Sequence, residues 1–256
     1  MRTLPTICSA AAALTVVAGG ITATAQDVAP DLPDTGAIQR GRAVVVGAQS
    51  RQVGGECFKC HGMDGAGDAA GGYPRLADQV YEYLYDSLRD YASGVRRSDI
   101  MTPIAEALTE DEMRDVSFYY AAIEDAPYGA PPEADGHLLQ QGAVIAAVGA
   151  DEQGVQACVN CHGPEGVGLP PTYPFLAGQD AGYLADQLEA WRTGRRHGDG
   201  FAIMEHIAKA MTQTQIRAVS LYYASLRPDR VTPERGATGA GMVAVGRDAA
   251  GREAGR

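Results

Sequence analysis

Two stretches of this sequence share one pattern, Cys57-Phe58-Lys59-Cys60-His61-Gly62 and Cys158-Val159-Asn160-Cys161-His162-Gly163. Cys-x-x-Cys-His is the attachment sequence of c-type haem. Two cysteines three apart match the two vinyl groups on one porphyrin edge, to which they add as thioethers. The histidine that follows is placed to ligate iron from the proximal side. Two other readings compete. A four-cysteine zinc site would have to join both stretches. Local disulfides or a redox Cys-x-x-Cys would need neither histidine. Two matched copies favour haem, with Cys57, Cys60, Cys158 and Cys161 as attachment points and His61 and His162 as axial ligands.

Working outward, the chain reads as two copies of one unit. Tyr73-Pro74-Arg75-Leu76-Ala77, Gln79, Tyr83-Leu84, Tyr91, Met101 and Tyr119-Tyr120 recur as Tyr173-Pro174-Phe175-Leu176-Ala177, Gln179, Tyr183-Leu184, Trp191, Met204 and Tyr222-Tyr223. The offset stays between 100 and 103. The copies are assigned to residues 33–126 and 137–228, joined by a Pro-rich linker at 127–136. Residues 229–256 are Gly, Ala, Arg and acidic residues with few large apolar side chains, a composition that predicts disorder. Each copy is about 95 residues, small for a core of side chains alone, so a buried cofactor would help to fill it.

Periodicity predicts helices over 38–49 and 138–148, 80–91 and 180–193, and a last helix in each copy. The last helices open on Thr109 with Glu112 and on Thr212 with Gln215, both capping signals. No useful run has strand period, so the fold class is all-α. Gly41 and Gly142 are placed to let the first helix of each copy cross closely over the tyrosines of the last.

A sixth iron ligand is sought next, since His/Met and His/His are the usual low-spin pairs. Met63 lies too near the attachment site, and Met113 sits on an apolar helix face where Met is ordinarily core. Met101 sits in the loop before the last helix, about 40 residues after His61. Aligning Met101-Thr102-Pro103-Ile104-Ala105 with Met204-Glu205-His206-Ile207-Ala208 selects Met204 over Met211. His206 is the rival in the second copy, but its counterpart is Pro103, which cannot ligate. His137 and His197 have no counterparts and read as surface residues. The carbonyls of Pro74 and Pro174 are candidate acceptors for the second ring N–H of His61 and His162; a turn proline without that role is the alternative. One arginine from each of the pairs Arg96-Arg97 and Arg195-Arg196 is a candidate to offset a haem propionate, beside the reading that all four are solvated.

The N-terminal 1–25 reads as a cleaved signal peptide: Arg2, an apolar stretch from Ile7 to Ile21, then Ala23-Thr24-Ala25. The apolar run is short for a membrane span, which needs about 20 residues, and contains Gly19 and Gly20. Of five cysteines only Cys8 lies there, leaving four for the mature chain. Export to the periplasm is expected, with no membrane span in the mature chain. The formal net charge is −11, with 21 Lys+Arg against 32 Asp+Glu, and Lys59 and Lys209 are the only lysines. Such a chain is repelled by phosphate, so nucleic acid is excluded as a partner.

These motifs resemble the dihaem cytochrome c4 family, built from two class I cytochrome c domains. The resemblance covers about residues 36–227. It implies two covalently bound haem c groups, His/Met ligation at both irons and single-electron transfer in the periplasm. It implies partners such as a terminal oxidase, a bc-type complex or a dehydrogenase. A free carrier is the leading reading, because two six-coordinate irons leave no open site for substrate and argue against an enzyme. The alternative is the electron-accepting subunit of a dehydrogenase, such as a flavin-containing sulfide dehydrogenase. A dihaem peroxidase or thiosulfate dehydrogenase ranks last, because the mature chain has no spare cysteine. The three-residue insertion before Met204, the acidic balance and the Gly/Arg tail depart from the family and leave the partner open.

Overall fold

The computed structural model describes residues 35–47, 56–198 and 200–228. The expected signal peptide and the tail at 229–256 lie outside the described residues. So does the far end of the helix expected over 38–49.

The described residues form ten α-helices, with two short 3-10 turns (Asp151–Gln153 and Pro164–Gly166) and isolated β-bridges beside them. In the first half these are α1 (Thr35–Val45), α2 (Phe58–His61), α3 (Tyr81–Ser93), α4 (Met101–Glu106) and α5 (Glu110–Ala121). The second half repeats them as α6 (Gly136–Val148), α7 (Val159–His162), α8 (Ala181–Thr193), α9 (Ile203–Ala210) and α10 (Gln213–Ser225).

The last helices begin where their capping chemistry dictates. Thr109 accepts from the Glu112 amide while the Glu112 carboxylate takes the Thr109 N–H, and Thr212 and Gln215 repeat the arrangement. Each cap satisfies backbone donors that helix geometry leaves without partners, worth about 1 kcal/mol. Asp135 caps α6 through the amides of His137 and Leu138, so that helix starts two residues before the expected 138.

First and last helices pack together in each half, α1 on α5 and α6 on α10. Gly41 and Gly142 set how close they come. A Cβ on Gly41 would sit 2.0 Å from the Asp115 carbonyl oxygen, and one on Gly142 would sit 2.2 Å from that of Ala218. No side chain larger than hydrogen fits, so backbone lies against backbone.

Each half has its own apolar cluster. Val44, Val45, Leu84, Val116, Tyr119 and Tyr120 form the first. Ile145, Val155, Ile207, Met211, Ile216 and Val219 form the second. The halves then meet through polar groups. The segments after α3 and α8 run antiparallel: the Arg97 amide donates to the Arg195 carbonyl, and that of His197 to the Val95 carbonyl, each at 2.9 Å.

Candidate haem sites

The Cys-x-x-Cys-His stretches fold alike in both halves. Cys57 and Cys158 open single-turn helices, so three residues of helix carry the second cysteine and the histidine on from the first. All four thiols are free and partly buried. Burial pushes the Cys57 thiol up to about 11 and raises Cys158 as well. Cys57 and Cys158 are therefore neutral, sheltered thiols, unlike the low-pKa thiolate that opens a redox Cys-x-x-Cys motif.

Both histidines are buried, and both point Nδ1 at a proline carbonyl. His61 Nδ1 lies 2.9 Å from Pro74 O, and His162 Nδ1 lies 3.0 Å from Pro174 O. A carbonyl only accepts, so Nδ1 carries the proton and the Nε2 lone pair is left for a metal. Burial lowers the pKa of both imidazoles, against a smaller opposite effect of the proline carbonyl. The neutral ring, which is the ligating form, is therefore favoured. Tyr73 and Tyr173 stand edge-on to His61 and His162, with ring centroids 6.3 and 6.2 Å apart.

Met101 and Met204 are half-buried at the starts of α4 and α9, not in the open loop expected from the sequence. Ser98 draws the helix start back to Met101, its Oγ accepting the Met101 amide at 3.1 Å. The rival methionines have core roles: Met113 and Met211 are buried, and the Met63 carbonyl takes the Tyr119 hydroxyl proton. His206, His137 and His197 are exposed, and His197 faces the Glu205 carboxylate at 3.8 Å.

The arginine pairs separate cleanly. Arg97 and Arg195 are exposed, whereas Arg96 and Arg196 are buried between the halves. Arg96 donates to Ser87, Tyr183 and Gln187. Arg196 donates to Gln187 and Tyr83 and lies 3.9 Å over the Trp191 ring. Among the described residues no carboxylate oxygen comes within ion-pair distance of either guanidinium. Burial works to raise the Tyr83 phenol, but Arg196 and Arg96 outweigh it and pull it down to about 7. Burial holds its neighbour Tyr183 in the neutral form. Two buried cations therefore have no carboxylate in direct contact, with only Tyr83 and the more distant Asp90 to offset them, and an added anion would stabilise the arrangement. Arg96 Nε and Trp191 Nε1 are also buried donors without a partner among the described residues. This donor set fits the acid side chains of a haem, just as the paired thiols and free Nε2 fit its vinyl edge and iron. Sequence reasoning did not single out Trp191. Its one signal was that an indole N–H, when buried, needs an acceptor.

The sequence pattern of the cytochrome c family, described as "Cytochrome c", matches residues 39–122 and 150–227. The chain belongs to the cytochrome c family. It belongs to the dihaem, cytochrome c4-like part of it, carries two covalently bound haem c groups and transfers electrons. A thiosulfate dehydrogenase electron acceptor of Stutzerimonas stutzeri is 43% identical over 173 residues, covering 66% of this cytochrome and 78% of that protein. The crystal structure of cytochrome c4 from Pseudomonas stutzeri superimposes with a TM-score of 0.64 at 31% identity, covering 74% of this cytochrome and 98% of that chain. A thiosulfate dehydrogenase structure from Marichromatium purpuratum gives a TM-score of 0.68 at 38% identity. The match covers 73% of this cytochrome but only 40% of that longer chain. Among the described residues no helix is long and apolar enough to cross a membrane.

Proposed function

We propose that this cytochrome is exported to the periplasm and accepts electrons from a thiosulfate-oxidising dehydrogenase. Its own side chains would hold two haems in equivalent sites. Cys57 and Cys60 would tether one, Cys158 and Cys161 the other. His61 and His162 would bind iron through Nε2, with Met101 and Met204 opposite. Arg96 and Arg196 would face the haem carboxylates, with the Trp191 N–H beside them. Haem c supplies a one-electron iron couple at each site. Methionine as sixth ligand raises the potential, which suits an acceptor. Two such sites in one chain receive the electron pair that a two-electron oxidation releases. With both iron faces ligated, the substrate is turned over by the partner and not by this chain.

The observation that carries this reading is the repeated geometry: a buried, neutral imidazole held by a proline carbonyl, directly after two free thiols, in both halves. The thiosulfate reading draws on the acceptor proteins to which the cytochrome is similar. Stopped-flow mixing of the oxidised holoprotein with a thiosulfate dehydrogenase and thiosulfate tests it. Both haems should be reduced rapidly with the enzyme present and not by thiosulfate alone. No acceleration by the enzyme would favour a second reading, a diffusible carrier serving a bc-type complex or a terminal oxidase. That reading is supported by the cytochrome c4 structure, nearly all of which this chain covers.

A further inference from the structure

The two halves are joined by a reciprocal pair of glutamine contacts. Gln179 Oε1 accepts the Arg75 amide at 2.9 Å, and its Nε2 donates to the Arg75 carbonyl at 2.8 Å. Gln79 does the same in the opposite sense, accepting the Phe175 amide at 2.7 Å and donating to the Phe175 carbonyl at 2.9 Å. Each amide side chain thus pairs with one residue's backbone as a neighbouring strand would. Both glutamines are buried. Each Oε1 also accepts the next residue's amide, that of Val80 at 2.9 Å or Asp180 at 3.0 Å, which fixes its rotamer.

The residues gripped are the ones that follow Pro74 and Pro174. The peptide unit made of the Pro74 carbonyl and the Arg75 N–H therefore takes His61 Nδ1–H on one side and the other half's Gln179 on the other. The unit between Pro174 and Phe175 likewise links His162 to Gln79. An amide whose N–H donates has a more negative carbonyl, so hydrogen bonds in such a chain reinforce one another. A stronger acceptor on Nδ1–H raises the basicity of the imidazole and favours the oxidised iron.

We propose that Gln79 and Gln179 are positioning residues acting across the molecule: Gln179 tunes the proximal ligand His61, and Gln79 tunes His162. Docking of the halves then sets both potentials, and each site senses whether the other half is in place. The inference rests on the haem ligation proposed above.

The test is a redox titration of the holoprotein, followed by NMR of the haem methyl groups, with Met101→Ala used to assign the two haems. Gln179→Met keeps length and removes both hydrogen bonds to Arg75, together with the one from the Asp180 amide. It should raise the potential of the His61 haem alone, by up to about tenfold in its reduction equilibrium constant, or about 59 mV for one electron. Gln79→Met should do the same to the His162 haem alone. The crossed pattern separates tuning from simple loss of docking, which would move both haems in either variant. Unchanged potentials, equal shifts in both haems, or a shift confined to the substituted half would each overturn the proposal. A second measurement needs no variant. In the wild-type holoprotein the Arg75 and Phe175 amides should exchange with solvent as slowly as the interior amides of α3; exchange at the rate of open chain would overturn it. Failure of the haem assignment would show separately, as a two-haem spectrum that survives Cys57→Ala/Cys60→Ala.

Discussion

The first and second halves of this cytochrome hold the same site with different surroundings, and the differences separate what the site needs from what the molecule adds. Thiols, histidine, proline carbonyl, glutamine, buried arginine and close-packed glycine occur at equivalent places in both. The residue after the proline does not. Arg75 reaches the linker, donating to the carbonyls of Pro127 at 2.8 Å and Ala126 at 3.0 Å, with its guanidinium 4.6 Å from the Tyr128 ring centre. Phe175 has no such function and contributes through its backbone to the glutamine contact. The segments before Met101 and Met204 differ as well. The insertion before Met204 carries Phe201, which is 90% exposed, whereas Ile100 beside Met101 is 54% exposed. Both halves hold the linker, the second through Arg227, which donates to the Gly129 carbonyl at 2.7 Å and lies 5.2 Å from the Tyr128 ring centre, but only the second presents an exposed aromatic ring before its methionine.

The largest expected effect breaks the equivalence of the halves. Met101→Ala should convert one haem to a high-spin or differently ligated form and leave the other low-spin, and Met204→Ala should do the converse. Optical and EPR spectra read this directly; a variant whose spectra match the wild type would remove that methionine from the ligand set. Next, Gly41→Ala and Gly142→Ala should each cost about 3 kcal/mol, the upper end for overpacking, because the new Cβ meets backbone that cannot yield. Thermal unfolding should show similar losses in the two variants, and a loss in only one would deny that the helix crossings are equivalent. Arg75→Ala should cost about 2 kcal/mol by removing charged hydrogen bonds to the linker, while Phe175→Ala leaves the linker's amide exchange unchanged. The last comparison, which includes the smallest effect, concerns the turn before α3 and α8. Asp78 has φ +62° where Gly178 has φ +67°. A Cβ on Gly178 would lie 2.3 Å from the Tyr128 ring. Gly178→Ala should therefore cost about 2 kcal/mol, and Asp78→Gly should stay within about 1 kcal/mol of the wild type.

Much of this arrangement is legible in the sequence, because local rules dictate it. The repeat, the capping pairs Thr109/Glu112 and Thr212/Gln215 and the glycine crossings each rest on residues whose neighbours or counterparts are visible in the chain. The part that escaped is what the halves do to each other. Gln79 and Gln179 could be seen to repeat, but their partners lie 96 and 104 residues away in the chain. No periodicity or spacing reveals such a contact. The same limit hid which arginine of each pair is buried, since Arg96 and Arg97 differ only in which side of an interdomain contact they occupy. The helical setting of Met101 was missed because Ser98 acts there as a capping acceptor in a stretch that reads as loop.

The central claim is that each half independently tethers one haem. Intact-mass measurement under denaturing conditions, on protein made with a working haem-ligation system, tests it most directly. Wild-type chain should carry the mass of two haems, and both Cys57→Ala/Cys60→Ala and Cys158→Ala/Cys161→Ala should carry one. A wild-type chain that sheds its haem on denaturation, or retains a single one, would contradict the account.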